Sequence, residues 1–147
     1  MPGYSGTPLP QKLGIKAGHR ACLINAPAEV RAELKPSLAK CEIVSDKAAD
    51  LDFVMIFTKS RAEVEDNFQR TTKSLSPAGM LWISWPKKSS GIATDVNENV
   101  VRETGLGAGL VDVKVCAVTE VWSGLKFVRR VKDRKKDRKK DGKKNRD

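Results

Sequence analysis

The sequence predicts an α/β fold with an open, mainly parallel sheet that closes with an antiparallel hairpin. Three observations indicate this class. Short apolar runs alternate with segments of helical periodicity, the run at 53–57 is apolar throughout, and two apolar runs lie side by side before the C-terminal tail. A continuously apolar run of this length is typical of a strand covered on both faces, as in parallel sheets with helical crossovers.

The first part of the chain supplies three strands and a helix. Residues 21–24 form a short apolar strand, and Pro27 then opens a helix to about Leu34, because proline fits the first helical turn. Residues 42–44 form a second short strand, and residues 53–57 form the third. The sheet therefore begins with the order strand, helix, strand, strand.

The middle of the chain predicts a second helix and a fourth strand. Ser60 has capping-box spacing with Glu63, and the apolar residues that follow share one helical face. The turn-forming segment 76–79 is expected to stop this helix. Residues 80–85 form a strongly apolar strand that Pro86 ends.

The last part of the folded region predicts a helix and the hairpin. Asp95 with Glu98 marks the start of the helix, and Gly105 suits its end as a left-handed cap. Two apolar strands, 113–121 and 125–131, flank Ser123-Gly124, which is a two-residue hairpin signal.

Charge divides the chain into a near-neutral body and a basic tail. The formal net charge is +10, but residues 129–147 hold 12 Lys/Arg and 4 Asp/Glu, so the body carries only +2. We expect an extended N-terminal arm at 1–18, an α/β domain at 19–131 and a disordered basic tail at 132–147. Polyanions should therefore be attracted mainly by the tail.

Several protein classes are disfavoured by composition. The three cysteines include no C-x-x-C pair, which indicates reduced, buried thiols, and the single His19 excludes a histidine-based triad or a multi-histidine metal site within this chain. No secretory signal and no apolar run of about 18 residues is present. We expect a cytoplasmic protein with no membrane partner, no metal and no assigned catalytic residue.

Two segments resemble the S-adenosylmethionine-dependent methyltransferase version of the Rossmann-like fold. LGIKAGHR at 13–20 is similar to the lead-in to that family's first strand, and LSPAGML at 75–81 is similar to the segment before its fifth. The final hairpin lies where that family has reversed strands. The segment 46–52 is too short for the family's third strand and helix, so the resemblance implies about six strands in the family's order 2-1-4-5-7-6.

A closer resemblance is to the small bacterial family DUF3052, a domain of unknown function. The segments that carry it are GYSGTPL at 3–9, WPKK at 85–88, GLVD at 109–112 and WSGL at 122–125. This resemblance supports the fold and implies no activity.

The loop that would bind the methyl donor lacks the expected glycines. NAPAE at 25–29 contains none, and Pro27 removes a backbone donor, although Asp46 follows the second strand where an acidic residue meets a ribose in related folds. We therefore expect no cofactor, with retained S-adenosylmethionine binding as the alternative. The glycine-rich segment 105–109 follows a helix and precedes a strand, which is the wrong order for a phosphate loop.

The carboxyl ends of the parallel strands form the best candidate site, because ligands on open α/β sheets bind there. Lysines and a helix start at this edge could hold a small anionic ligand or an acidic patch on a partner, or the lysines could be ordinary solvated charges. Trp82 should be core, whereas Trp85 and Trp122 should be partly exposed. The candidate ligand-binding residues are Asn25, Asp46, Lys59, Trp85, Lys87, Lys88 and Asp95.

The tail offers a second class of partner. It repeats an Asp followed by basic residues and contains no apolar group between Asp133 and Asp147, so it either solvates the protein or attracts RNA or DNA without sequence preference. The candidate nucleic-acid residues are Arg134, Lys135, Lys136, Arg138, Lys139 and Lys140. Three functions stay open: a non-catalytic or catalytically unassigned binding domain, a nucleic-acid-associated accessory protein, and an enzyme with an unorthodox S-adenosylmethionine or nucleotide site.

Overall fold

A computed structural model describes residues 7–134 as an α/β domain with one six-stranded sheet. The strands are β1 (Arg20–Ile24), β2 (Glu42–Ile43), β3 (Leu51–Phe57), β4 (Leu75–Pro86), β5 (Leu110–Ala117) and β6 (Trp122–Arg129). The helices are α1 (Leu9–Leu13), α2 (Ala28–Leu38), α3 (Arg61–Thr71) and α4 (Glu98–Gly107). None of the helices between residues 7 and 134 is long and apolar enough to cross a membrane.

The sheet has the strand order β2-β1-β3-β4-β6-β5. Strands β1 to β4 are parallel, and β6 is antiparallel to both β4 and β5. The open, mainly parallel sheet with a C-terminal antiparallel pair is confirmed, and the order equals 2-1-4-5-7-6 when the missing third strand is allowed for. The order reverses between β1 and β3, which makes their carboxyl ends the switch point of the sheet.

Two apolar clusters cover the two faces of the sheet. One packs Val64 and Phe68 of α3 and Val101 of α4 against the sheet. The other packs α1 and α2 around the fully buried Trp82, whose indole N–H donates to the Leu13 carbonyl at 2.9 Å. Trp82 is core, as predicted, and α1 lies within the segment predicted to be an arm.

Two elements extend beyond their predicted ends. Helix α2 continues through Pro36 to Leu38 instead of stopping near Leu34, because Leu38 packs beside Leu34 one turn later. Strand β4 begins at Leu75 and includes the segment 76–79 that was expected to be a turn. This extension pairs Leu75 with Leu51, and the Ser76 hydroxyl donates to Asp52 at 2.8 Å.

Helix α4 begins and ends differently from the prediction. Its N-cap is Asn97, whose side chain accepts from the Val100 N–H at 2.9 Å, so the expected Asp95 cap is wrong. Gly105 is a buried helical residue, and the helix continues to Gly107. The segment 105–109 therefore ends a helix and contributes to packing, as its position before a strand indicated.

The hairpin forms, but its turn is not Ser123-Gly124. Those two residues lie inside β6 and pair with Ala117 and Cys116, so the connection is the four-residue segment 118–121. The Thr119 hydroxyl accepts from the Trp122 N–H at 3.0 Å and stabilises this turn. A Cβ on Gly124 would lie 3.1 Å from the Trp82 ring, so this glycine permits close packing within the sheet.

Candidate functional site

The carboxyl ends of the parallel strands border two hollows. The first, the Asn25 hollow, measures about 440 Å³ and lies at the switch point between β1 and β3. It is lined by Asn25, Phe57, Thr58, Lys59, Ser60, Glu63 and Trp122. The second, the Trp85 hollow, measures about 420 Å³ and lies beyond β4. It is lined by Trp85, Pro86, Lys88, Ile92, Thr94, Asp95, Val96 and Asn97.

Asn25 forms one wall of the Asn25 hollow from the end of β1. It has a φ of 59°, a left-handed conformation that asparagine tolerates better than most non-glycine residues. Its amide donates a long hydrogen bond of 3.5 Å to the Phe57 carbonyl, and the residue is otherwise exposed. The side-chain amide is therefore placed at the opening, with further donor and acceptor capacity.

A hydrogen-bonded turn after β3 forms the opposite wall. The buried Thr58 hydroxyl donates to the Glu63 carboxylate at 2.5 Å and accepts from the Ser60 N–H at 3.2 Å. Ser60 in turn caps α3 by accepting from the Glu63 N–H at 3.3 Å. These bonds fix the backbone on both sides of Lys59, whose exposed side chain supplies a positive charge at the rim.

The floor of the Asn25 hollow is aromatic. Phe57 and Trp122 meet edge to face with ring centroids 5.1 Å apart. Trp122 is only 9 % exposed and Trp85 only 6 % exposed, so the prediction that both tryptophans are partly exposed is wrong. Trp122 is covered because it begins β6 against Phe57, and Trp85 is covered because it packs into the cluster beneath α3 and α4.

The two hollows share a hydrogen-bonded wall. The Thr94 hydroxyl donates to the Lys59 carbonyl at 2.5 Å, and the Asp95 carboxylate accepts from the Arg61 N–H at 2.7 Å. Asp95 therefore caps α3, together with Ser60, rather than starting α4. The start of α4 was expected to help hold an anion, but its Val100 N–H is already bonded to the Asn97 side chain. The Arg61 N–H at the start of α3 is bonded to Asp95.

The structure brings together only part of the predicted set. Asn25 and Lys59 line the Asn25 hollow, whereas Trp85, Lys88 and Asp95 line the Trp85 hollow. Lys87 lines neither, and its backbone N–H donates to the Val121 carbonyl at 2.7 Å.

Asp46 lies apart from both hollows and forms an ion pair with Arg70 of α3. Arg70 also bonds to Asp66 at 3.0 Å and to the Asn67 side chain at 2.7 Å. The guanidinium is thus held on three sides, which raises the pKa of Arg70 chiefly through its bond to Asp46. The carboxylate of Asp46 is bonded within the protein rather than presented to a ribose.

Sequence reasoning missed Thr58 and Glu63 as site residues. Glu63 was recognised only as the partner of Ser60 in a capping box, and Thr58 was not singled out. The signal was present, because a capping box directly after a buried strand places its side chains at the carboxyl edge of the sheet.

The residues at this edge do not fit S-adenosylmethionine in the manner of the fold family. The loop after β1 contains Asn25 in the left-handed conformation, has no glycine, and enters α2 at Pro27, which provides no side-chain cap and no N–H. Glu29 adds a carboxylate in the first turn of α2. Asp46 is held by Arg70. We therefore assign no reaction step to that cofactor.

Neither a metal cluster nor a reactive thiol is found in the described part of the chain. Between residues 7 and 134, no group of three or more His, Cys, Asp or Glu residues is arranged to hold a metal. Cys22 and Cys116 are buried and Cys41 is partly buried, all unpaired. Burial raises the pKa of all three thiols, so each is the neutral, poorly nucleophilic form near neutral pH.

Solved structures with a similar fold include several methyltransferases. An S-adenosylmethionine-dependent methyltransferase from Aquifex aeolicus matches with a TM-score of 0.57 and 15 % identity over 80 % of this chain and 85 % of its own. A precorrin-6y C5,15-methyltransferase from Geobacter metallireducens GS-15 matches with a TM-score of 0.53 and 11 % identity over 83 % and 86 %. Magnesium protoporphyrin IX methyltransferase from Synechocystis PCC 6803, solved with bound S-adenosylhomocysteine, matches with a TM-score of 0.53 and 10 % identity over 78 % and 75 %. The chain therefore has a methyltransferase-like Rossmann fold.

The family assignment follows from a match over most of the chain. Residues 12–131 match the family model described as a protein of unknown function, DUF3052. The chain belongs to this family. No curated protein sequence matches it.

Proposed function

We propose that this protein is a non-catalytic or catalytically unassigned binding domain that holds a small anionic ligand in the Asn25 hollow. The observation that carries the proposal is the presence of Asn25 and Lys59 in one hollow at the switch point of the sheet. Ligands of open α/β sheets bind at this point, where loops from neighbouring strands diverge to opposite faces. The proposed compartment is the cytoplasm, which suits the three unpaired thiols.

The chemistry of the hollow supports a small ligand with an anionic group. Lys59 supplies the only ammonium among its lining residues, and the Asn25 amide supplies a neutral donor on the other wall. Glu63 also faces this hollow, but its carboxylate is bonded to the Thr58 hydroxyl. The Trp122 and Phe57 rings provide an apolar floor, as is usual for small-molecule sites.

Thermal unfolding of the full chain tests the proposal. The probes are inorganic phosphate, pyrophosphate, AMP, citrate and S-adenosylhomocysteine, each tested separately. A probe at about 100 times its dissociation constant stabilises the chain by ~2.7 kcal/mol, which raises Tm by several degrees. Lys59→Ala should lower the affinity for that probe at least about tenfold, because the substitution removes a charge-assisted hydrogen bond.

Lys88→Ala is the matched control, because it removes an exposed lysine from the Trp85 hollow instead. Equal loss in both variants, or no stabilisation by any probe, would contradict the proposal. Stabilisation by S-adenosylhomocysteine alone would favour the alternative of an enzyme with an unorthodox methyl-donor site.

A second candidate function is that of a nucleic-acid-associated accessory protein. The observation that favours it is the net charge of +8 in residues 129–147. Among the six candidate nucleic-acid residues, the structure describes only Arg134. The other five lie outside the described residues: Lys135, Lys136, Arg138, Lys139 and Lys140.

A full-length variant tests this candidate function. In it, glutamine replaces Lys135, Lys136, Lys139 and Lys140. We expect the affinity for single-stranded DNA and its salt dependence to fall together, since each lost phosphate contact reduces the salt slope by ~0.7. Measuring fluorescence anisotropy at several salt concentrations gives both quantities. An unchanged slope would remove the tail from the binding site.

A further inference from the structure

A cluster of four lysines lies on the face of the sheet that carries α1. The lysine cluster consists of Lys12 in α1, Lys16 after it, Lys114 in β5 and Lys126 in β6. Lys114 and Lys126 are paired neighbours across the antiparallel strands. The near-neutral total charge of the body gives no sign of this cluster.

Backbone hydrogen bonds hold two of these ammonium groups in place. The Lys114 ammonium donates to the Lys12 carbonyl at 3.0 Å, and the Lys12 ammonium donates to the Ala117 carbonyl at 3.2 Å. The Lys126 ammonium lies over the end of α1, 3.6 Å from the position that a Cβ on Gly14 would occupy. The charges are therefore positioned before a partner arrives, which reduces the entropy lost on binding.

Three of these lysines form no salt bridge in the described part of the chain. The ion pairs found between residues 7 and 134 include none that uses Lys16, Lys114 or Lys126. Burial, followed by the nearby charges of Lys114 and Lys16, lowers the pKa of Lys126. The folded chain thus keeps like charges close together at a cost to its own stability, as binding surfaces for anions do.

A hollow of about 510 Å³ adjoins the lysine cluster. Lys12 and Lys114 line it together with Thr7, Gln11 and the β5 residues 115–117. No acidic side chain is among its lining residues. This hollow is separate from the Asn25 hollow, with which it shares no residue.

We propose that the lysine cluster binds the phosphate backbone of a nucleic acid. Positive charge continues from Lys126 along β6 to the exposed Arg130, about 13 Å further on at ~3.3 Å per residue. A linear polyanion reaches both the lysine cluster and Arg130, whereas a compact anion reaches only the cluster. The lysine cluster is a site on the folded body, independent of the Asn25 hollow and of the tail residues.

Recognition at this surface uses phosphates rather than bases. Every Phe and Trp between residues 7 and 134 is buried, so none of these described rings is available for stacking. Lysine binds phosphate as a point charge and carries little geometric selectivity. Binding is therefore independent of sequence and depends steeply on salt.

The test compares full-length variants by fluorescence anisotropy with labelled oligothymidylate at several salt concentrations. Lys114→Gln with Lys126→Gln removes two charges from the lysine cluster. The matched control, Lys35→Gln with Lys47→Gln, removes two exposed lysines outside the cluster. Both variants retain the tail, so a difference in their affinity reports the contribution of lysines on the folded body.

We expect the cluster variant to lose at least about tenfold in affinity at low salt and to reduce the salt slope by ~1.4, the value for two phosphate contacts. The control should change the slope by much less. Equal losses of affinity in the two variants would show that binding depends only on net charge, and this would overturn the proposal. A failure of the unaltered chain to bind oligothymidylate would overturn it as well. Competition by polyglutamate as effective as that by unlabelled oligothymidylate would also overturn it, in favour of an acidic protein partner.

Discussion

At the scale of single residues, two glycines of α4 have opposite structural roles. A Cβ on Gly105 would lie 2.1 Å from the Phe127 ring, which is fully buried and packed edge to face against Phe68 with a centroid distance of 5.0 Å. A Cβ on Gly107 would meet nothing within 4 Å. Gly105 therefore allows α4 to approach β6, and Gly107 only adds flexibility to the end of the helix.

Alanine at these two positions should have effects of opposite sign. We expect Gly105→Ala to lower the free energy of unfolding by about 2 kcal/mol, because the ring cannot move away without strain. Gly107→Ala should raise it by ~0.5 kcal/mol through the higher helix propensity of alanine. Urea denaturation of both variants measures the difference. Similar effects of the two substitutions would show that contact with Phe127 does not determine the choice of glycine.

The sequence could not distinguish these residue roles, because they depend on contacts between distant segments. Gly105 resembles a helix cap locally, and only its position against Phe127 shows that it is a packing residue. The same limit explains the error at Trp122, whose neighbour Phe57 lies on another strand. The local sequence pattern indicates which kind of role a residue suits, but whether the residue is buried depends on the distant segment that packs against it.

At the scale of elements, strand identity and order were predictable from the sequence. Continuous apolar runs such as 53–57 indicated buried parallel strands, and the short segment 46–52 indicated a missing strand. The ends of elements were less predictable. Ser123-Gly124 has the composition of a tight turn, but Thr119 supplies the hydrogen bonds of the real turn and leaves Gly124 free to pack against Trp82.

Capping shows why the candidate site was only partly predictable. Asp95 and Asn97 both lie at cap-like positions before α4, and the sequence does not say which helix each one serves. In the structure Asn97 caps α4, and Asp95 reaches across to the Arg61 N–H at the start of α3. Because this long-range bond joins the walls of the two hollows, one predicted edge site became two separate groups of residues.

At the scale of the whole molecule, the distribution of charge matters more than its total. Composition placed the excess positive charge in the tail and left a body of +2. The fold then gathers Lys16, Lys114 and Lys126 from three separate segments onto one face. No local pattern in the sequence predicts such a cluster, because only the pairing of β5 with β6 and the position of α1 bring its members together.

Burial of the Lys126 ammonium, together with repulsion from Lys114 and Lys16, should make the stability of the whole domain depend on pH. The pKa of Lys126 is lowered in the folded chain, whereas an unfolded lysine titrates near ~10.4. Between these two values the unfolded chain binds more protons, so this group makes the free energy of unfolding rise with pH. We expect Lys126→Met to be more stable than the unaltered chain at pH 7 by about 0.5 kcal/mol after solvent screening, with an advantage that shrinks as the pH approaches 10. Added salt should remove only the part of this advantage that comes from repulsion by Lys114 and Lys16. The buried thiols oppose this trend, because their raised pKa values make stability fall at high pH, but they are common to both chains and cancel in the difference. Urea denaturation from pH 7 to pH 10, with Lys35→Met as the control for loss of an exposed lysine, measures that difference. An advantage independent of pH would mean that packing of the methionine side chain, rather than removal of the partly buried charge, is responsible.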